Sequence, residues 1–495
     1  MRFWTTIGLI LVLSTLGLTY EIAAGRVLAP FFGTSLLTWT TVIATILAGF
    51  SLGNAVGGFV AERPRARAVA NVRMALVMTA VLMALSPMVL AFVYASGARD
   101  TGGMLLAVFV TFFPASVLVS LPSPFLAKLA VEARPGREGS SLGLVLAAGS
   151  VGAIFGAILA GFIALPLFGS VTTFAGCGAA ALLCVLFIRN GPSEGNGEDD
   201  TPTAQGPGSI VSIALATLAV AASLTAGSVC RYESGLSCID VVRQGGVVYL
   251  IADRTQQAAE RTDQNNTRNA TSANLVMPYV QWIWARMDRD LGPAPSVLFI
   301  GGGGYTLPTK LLEARPMARA LAVEIDPLVT QVVRQQMPWA SAMIARAGYD
   351  ASTDDAPGGR LGIVHADGRV FLNETDLRFD AVVMDAFSSG SVPAHLATRE
   401  TYARVQAIVA GPVYVNLIDT PDGPLVRGLH AILTDLYPHV EAVQGPVSAR
   451  GVANVLLAAS QDPLSVVDAL PDGYHMIEIT PGQAFTDDRG WVGHR

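Results

Sequence analysis

Between its first residue and about residue 228 the chain repeats apolar runs long enough to cross a bilayer, and this constrains its fold more than any other feature. A transmembrane helix needs about 17–25 predominantly apolar residues. Runs of that kind fall at roughly 3–20, 36–60, 69–95, 103–131, 141–166, 168–188 and 209–228. The expectation is a helical membrane domain of about seven spans, because only helices and closed barrels satisfy the backbone in lipid. Composition agrees: 52% of the 495 residues are hydrophobic and 14% charged, with a mean hydropathy of +0.48. A soluble chain averages about 25% charged residues. The first run follows Met1-Arg2 and could pass for a signal peptide, but with six runs behind it an uncleaved helix is the better reading.

Residues 1–228 hold 11 Lys/Arg and 9 Asp/Glu, leaving 21 of the 32 Lys/Arg and 29 of the 38 Asp/Glu to the remainder. The remainder therefore reads as an acidic, soluble half, a poor partner for nucleic acid. Arg63, Arg65, Arg67 and Arg73 follow the second run, and Lys128, Arg134 and Arg137 follow the fourth. The opposite loops offer Arg26 and Arg99. Positive loops stay in the cytoplasm, so the N-terminus is expected inside. Glu21 and Arg26, at the end of the first run, read as an interfacial pair or as polar groups on a substrate path. Gly149, Gly152, Gly156 and Gly161 suit close helix packing. Gly57-Gly58-Phe-Val-Ala-Glu62-Arg63 also resembles the cytoplasmic loop between helices 2 and 3 of major facilitator transporters.

Residues 190–208 are polar and rich in Gly and Pro, a flexible loop between the sixth and seventh runs. The expected division is a membrane domain at 1–228, a small β-rich part at 229–290 and an α/β Rossmann-like domain at 291–495. The β-rich part begins with Cys230 and Cys238, which could pair in an oxidising compartment, and continues as a hairpin around Gln244-Gly-Gly. Cys177 and Cys184 read as buried apolar residues. The six histidines and four cysteines show no metal-like spacing, so no metal site is expected.

In the last part, Ser296-Val-Leu-Phe-Ile300 runs into Gly301-Gly302-Gly303-Gly304, a helix-like segment follows at Thr309–Ala320, and a second apolar run ends in Glu324. Strands are expected at 296–300, 321–325, 362–365, 380–384, 412–417 and 453–459, in a mostly parallel sheet covered on both faces. Ligands of such sheets lie beyond the carboxyl ends of the strands. The glycine turn with Glu324 is the strand, turn, helix, strand, carboxylate order of a nucleotide site. Four glycines are not Gly-x-Gly-x-x-Gly, which favours a single adenosine-bearing ligand over a dinucleotide. In this reading Glu324 takes the ribose hydroxyls, Asp367 the exocyclic adenine amine, and Asp385 faces the reacting end. Each carboxylate is equally compatible with a helix cap.

Gly-Gly-Gly-Gly-Tyr-Thr-Leu-Pro, Val-Glu-Ile-Asp-Pro, Asp367-Gly368-Arg-Val-Phe-Leu and Asp385-Ala-Phe-Ser-Ser-Gly-Ser-Val-Pro-Ala-His-Leu-Ala-Thr resemble the spermidine synthase-like aminopropyltransferases. They are most similar to the bacterial branch fused to a multi-span membrane domain. The resemblance covers roughly 230–460, and the Cys-x-x-Glu-Ser-x-x-x-Cys pattern with the preceding spans extends it. It implies a multi-pass protein of the bacterial inner membrane that binds S-adenosylmethionine or its decarboxylated form as co-substrate, with no tightly bound cofactor. The product implied is 5′-methylthioadenosine, released by aminopropyl-type transfer to an amine or by intramolecular cleavage. The partners implied are the bilayer, the nucleoside and a polyamine or other amine, and a homodimer is compatible.

Asp385 matches the family's amine-orienting aspartate, the glycine turn with Glu324, Asp367 and Gly368 its nucleoside grip, and Gln257, following Asp253, its conserved-pattern glutamine. The family's second aspartate is Ser388 here, its loop aspartate is replaced at Gly304-Tyr305, and its Tyr-His-Glu finds no counterpart in Leu275–Gln281. The adenosine half of the site is thus kept and the polyamine half altered. A transporter or sensor that only binds such ligands, and a methyltransferase, are the alternatives. An inside N-terminus and seven spans put the soluble half outside; the cytoplasm, where such nucleosides are made, is the other choice.

Overall fold

The computed structural model describes residues 2–33, 36–98, 101–188, 207–225, 227, 230–253, 255–262, 274–352, 359–386, 393–449, 451–467 and 469–489. Most of the linker read at 190–208 lies outside them. The chain divides into two compact units, Met1–Cys238 and Ile239–Arg495.

The first unit is a bundle of α1 (Phe3–Phe32), α2 (Leu36–Ala61), α3 (Arg65–Ala95), α4 (Thr101–Ser120), α5 (Pro122–Glu132), α6 (Glu138–Ile158), α7 (Leu165–Phe187) and α8 (Pro207–Thr225), ending in a two-residue strand β1 (Tyr232–Glu233). Its outer surface is apolar: Phe59, Phe92, Phe162, Leu167 and Leu218 are each at least 65% exposed. An apolar exterior of this extent marks a surface made for contact other than with water. Among the described residues, five continuous helical stretches are long and apolar enough to cross a membrane, with a shorter apolar helix at Ile210–Thr225. The expected fifth and sixth runs form a single 50-residue stretch, Glu138–Phe187, because a π-helical turn, Leu159–Ala164, bridges them. At 1.5 Å per residue such a stretch would be about 75 Å long, against about 30 Å of hydrocarbon. It is broken at Gly169 (φ 75°, ψ 175°), so α6 packs on α1 while α7 packs on α3.

Close packing of α6 on α1 follows from Gly152 and Gly156, which lie against the Leu11 and Thr15 carbonyls. Thr15 and Thr19 donate their hydroxyls across the contact to the Gly152 and Gly156 carbonyls at 3.0 and 3.2 Å. Gly161, grouped with them in sequence, falls in the π-helical turn, and a β-carbon there would meet open space. Basic residues gather at one end of the bundle. Lys128 donates to the Ala61 carbonyl at 2.8 Å, and the Arg134 guanidinium lies 3.5 Å from the Phe3 ring centre and 5.3 Å from that of Trp4. Cys177 and Cys184 are buried on α7, and Cys230 and Cys238 form a disulfide.

The second unit begins with an antiparallel ribbon, β2 (Cys238–Gln244), β3 (Val247–Ala252) and β4 (Thr255–Arg261), turning at Gly245-Gly246 as read. After α9 (Pro278–Asp290) come β5 (Ser296–Ile300), α10 (Thr306–Ala314), β6 (Arg319–Glu324), α11 (Pro327–Gln336), α12 (Pro338–Ala347), β7 (Gly348–Asp350), β8 (Leu361–His365), α13 (Gly368–Glu374), β9 (Ala381–Met384), α14 (Arg399–Ile408), β10 (Val413–Asp419), α15 (Pro424–Leu436), β11 (His439–Gln444), β12 (Ala453–Ser460) and β13 (His475–Met476). The sheet order is β13-β11-β12-β10-β9-β5-β6-β8-β7. From β7 to β10 it is parallel, and β12 joins β10 antiparallel, as β11 joins β12. The helix expected to Ala320 stops at Ala314, because Arg315 precedes Pro316 and a residue before proline is driven out of the helical region. Strands β7, β11 and β13 were not expected; β7 and β13 are too short to show a period, and β11 mixes His, Glu and Gln with its apolar residues.

Candidate functional site

β9, β5, β6 and β8 lie side by side, so their carboxyl ends form one ledge. The Asp385 amide donates to the Ile300 carbonyl at 2.9 Å, the Gly301 amide to Val323 at 2.9 Å, and the Ala366 amide to Glu324 at 3.2 Å. Parallel register thereby brings Asp385, Gly301–Gly304, Glu324 and Asp367-Gly368 to neighbouring tips. Two glycines have steric reasons to be there. Gly301 has φ +101°, and a β-carbon on it would strike the Asp385 carbonyl; one on Gly304 would strike Ala258 of β4 and Met337. The ribbon thus lies against the turn, with Gln257 beside it.

Glu324 is buried. Its Oε2 accepts the amides of Gly302 and Gly303 at 3.0 and 3.2 Å, and its Oε1 that of Asp326 at 3.0 Å. Burial, together with the Asp326 charge, pushes its carboxyl up to about 6 against those three amide bonds. The side chain read as a ribose ligand is therefore also the brace of the glycine turn. Tyr305, left-handed at φ 54°, turns inward beneath that turn, where its hydroxyl bonds Thr330 at 2.6 Å; Thr330 bonds His365 Nε2 at 2.9 Å.

Asp367 is the N-cap of α13: its Oδ1 accepts the Arg369 and Val370 amides at 2.8 and 3.1 Å. Its Oδ2 meets His395 Nε2 at 2.9 Å. Although burial opposes it, the amides and the His395 ring hold its carboxyl below the usual range. The cap reading, open from sequence, is what these contacts show; Gly368 follows as the first residue of α13, packed on Ile300.

Asp385 closes the ledge. Asn416 Nδ2 donates to its Oδ1 at 2.8 Å, and Asn454 Nδ2 donates to Asn416 Oδ1 at 2.8 Å. The Tyr279 hydroxyl donates to the Gln257 carbonyl at 3.2 Å and also stands beside the Asp385 carboxyl, lowering its pKa. Burial pushes the Asp385 carboxyl up to about 6, with the Asn416 and Tyr279 bonds pulling it down. Tyr474, pushed up to about 12 by burial, stands close enough to raise Tyr279 further. A carboxylate that titrates near neutrality is suited to accept a proton or to hold a cationic amine.

Ser388 lies outside the described residues. Tyr279, inside the Leu275–Gln281 segment read as without counterpart, is brought to Asp385 by α9. Asn416, Asn454, Tyr474 and His395 were not read as site residues. The two asparagines had a signal: each stands in a mostly apolar strand, and the buried Asn416 amide needs partners. A cavity of about 490 Å³ lined by Asp290, Pro293, Asp380, Pro412 and Asp462 lies at the amino ends of β5, β9 and β10, away from this ledge. Among the described residues no cluster of side chains could hold a metal ion.

No family model matches the chain. It is 26% identical over 173 residues to a polyamine aminopropyltransferase of Vibrio vulnificus (strain CMCP6), covering 34% of this chain and 52% of that protein. It is 33% identical over 95 residues to the polyamine aminopropyltransferase of Ruegeria sp. (strain TM1040), covering 19% of this chain and 30% of that one. The chain thus spans about half the length, or less, of these curated relatives. Among solved structures it is similar to a probable spermidine synthase from Corynebacterium glutamicum (17% identity, 48% of this chain, 82% of that chain, TM-score 0.39). A spermidine synthase from Thermotoga maritima gives 18% identity, 47% and 71% coverage and a TM-score of 0.34.

Proposed function

We propose that this spermidine synthase-like chain is a membrane-bound transferase that grips an adenosyl sulfonium on the ledge of β5, β6, β8 and β9 and releases 5′-methylthioadenosine. The observation that carries the reading is Asp385: a carboxyl raised to about 6, bonded to Asn416 and Tyr279 one strand from the glycine turn. The nucleoside sits over Gly301–Gly304, with its ribose towards Glu324, its base towards Asp367 and its sulfur end towards Asp385 and Gln257. S-adenosylmethionine or its decarboxylated form is the co-substrate.

The attacking amine loses a proton to Asp385, directly or through water, as its nitrogen pair forms the new C–N bond. The C–S bond breaks, and its electron pair returns to sulfur, neutralising the sulfonium. The chemistry asks mainly for alignment and for an acceptor of one proton. Asn416, itself held by Asn454, fixes the Asp385 rotamer; Tyr279 holds the other side of the carboxyl.

Residues 1–228 form a multi-pass membrane domain of seven crossings, with 229–290 and 291–495 as the two parts of the synthase-like half. Bacterial inner membrane is the location, with that half on the outer side. The grouping of Lys128 and Arg134 at the end of the bundle that holds the N-terminus supports the orientation under the positive-inside rule, and the Cys230–Cys238 disulfide supports an oxidising surrounding at the other.

The test is mass spectrometry of the nucleoside product after the purified full chain is incubated with each sulfonium and a panel of amines. Methylthioadenosine is expected from the parent and not from Asp385→Asn. S-adenosylhomocysteine instead would make the protein a methyltransferase. Tight nucleoside binding with no product from any pair would make it a sensor or transporter.

A further inference from the structure

The Cys230–Cys238 segment carries a motif that the nucleoside site does not use, and within the first unit it reaches two weak points of the bundle. The first is the break in α7 at Gly169, which leaves the Ser170 amide at the start of a helical stretch without a partner from the preceding turn. Glu233 takes it: the Ser170 amide lies 3.0 Å from Oε1 and 3.1 Å from Oε2, and the Ser170 hydroxyl donates to Oε1 as well. The second is Arg26, a cation only 7% exposed near the end of α1. Its Nε–H donates to the Ser234 carbonyl at 3.0 Å. The loop is knit internally too, since the Ser234 hydroxyl accepts the amides of Leu236 and Ser237 at 3.0 and 2.9 Å. Its ends are joined by the disulfide, eight residues apart.

We propose that Cys230–Cys238 is a disulfide-set clamp, which presents Glu233 to the broken helix and the Ser234 carbonyl to Arg26. The cross-link shrinks the ensemble of the free loop, so both groups arrive already placed. Without it they must be held at the full cost of ordering the loop, and the contacts loosen together. Setting the clamp removes two electrons and two protons from the thiols; the disulfide of a thiol–disulfide oxidoreductase accepts them and becomes a dithiol. Cys230 and Cys238 are 4% and 5% exposed, so the closed bond is shielded from solvent. The proposal is independent of the transferase reading.

The test is a thermal-melting cycle on the full chain in detergent, with Glu233→Gln, Cys230→Ala/Cys238→Ala and their combination. Each change alone is expected to lower the melting temperature by several degrees, and Glu233→Gln to lose at least half its effect once the cysteines are gone. Strictly additive shifts, or no effect of Glu233→Gln in the cross-linked chain, overturn the proposal. Should the cysteine variant fail to fold, the oxidised parent is reduced after purification, with both thiols verified by mass spectrometry. Trypsin cleavage at Arg231 then accelerates roughly tenfold or more, because proteolysis follows the opened population. Unchanged cleavage overturns the clamp.

Discussion

Replacing Asp385 by Asn should inactivate the protein and at the same time stabilise it. Burial raises this carboxyl to about 6 from a usual value of 3.8, a difference worth about 3 kcal/mol at 1.36 kcal/mol per unit. The sign follows from linkage. The folded state holds the proton more tightly than the unfolded one, so stability falls as pH rises from about 4 to about 6 and stays lowered above that. Asn carries no charge and escapes the penalty. Its Oδ1 can keep the Asn416 bond, and the Tyr279 hydroxyl keeps its bond to the Gln257 carbonyl at 3.2 Å. Because water retains some access to Asp385, the gain is set at about 1–3 kcal/mol, or roughly 2–10 °C in melting temperature. The assay is thermal melting of parent and variant in detergent from pH 4 to 8. The expected difference is close to zero at pH 4, grows through pH 6 and then levels. Turnover should fall by about 10²–10⁴, the usual worth of a positioned acid–base group. A variant that melts at or below the parent temperature throughout would refute the assignment of a raised pKa, and with it the general-base argument.

Tyr279→Phe removes a bond that lowers the Asp385 pKa, so the acid limb of the kcat/KM profile should move upward by about half a unit to one unit; an unmoved limb would separate Tyr279 from the reacting carboxyl. Glu324→Gln should weaken methylthioadenosine binding about 10- to 100-fold by calorimetry, since a charged acceptor is lost. With the parent chain the same affinity should decline as pH drops below about 6, where Glu324 takes up its proton. Gly301→Ala places a β-carbon against the Asp385 carbonyl at φ +101° and should lower stability by about 1–3 kcal/mol or more, read as a lower melting temperature at every pH.

Sequence alone reached the strands with clear apolar runs, the hairpin at Gly245-Gly246 and the ledge of Gly301–Gly304, Glu324, Asp367 and Asp385, since parallel register places consecutive strand ends together. It did not reach the double duty of the carboxylates. Whether Glu324 braces its own turn, or Asp367 caps α13, depends on side-chain direction, to which strand order is blind. Asn416 and Asn454 sit more than thirty residues from Asp385 in sequence; the pairing of β10 with β9 brings the first to Asp385, and antiparallel β12 beside β10 brings the second to Asn416. Tyr279 was hidden for another reason: α9 precedes the sheet, and no periodicity tells where its first turn lands. In the first unit, apolar runs located the helices, while the π-helical turn and the break at Gly169 left no mark in hydropathy.

A cryo-electron microscopy structure of the full chain with 5′-methylthioadenosine and an amine would show whether the ledge holds both. Adenosine is expected over Gly301–Gly304, ribose hydroxyls on Glu324, and the amine nitrogen within hydrogen-bond reach of Asp385, pointing at the sulfur. Density for the nucleoside anywhere else, or with its sulfur turned away from Asp385, would contradict it.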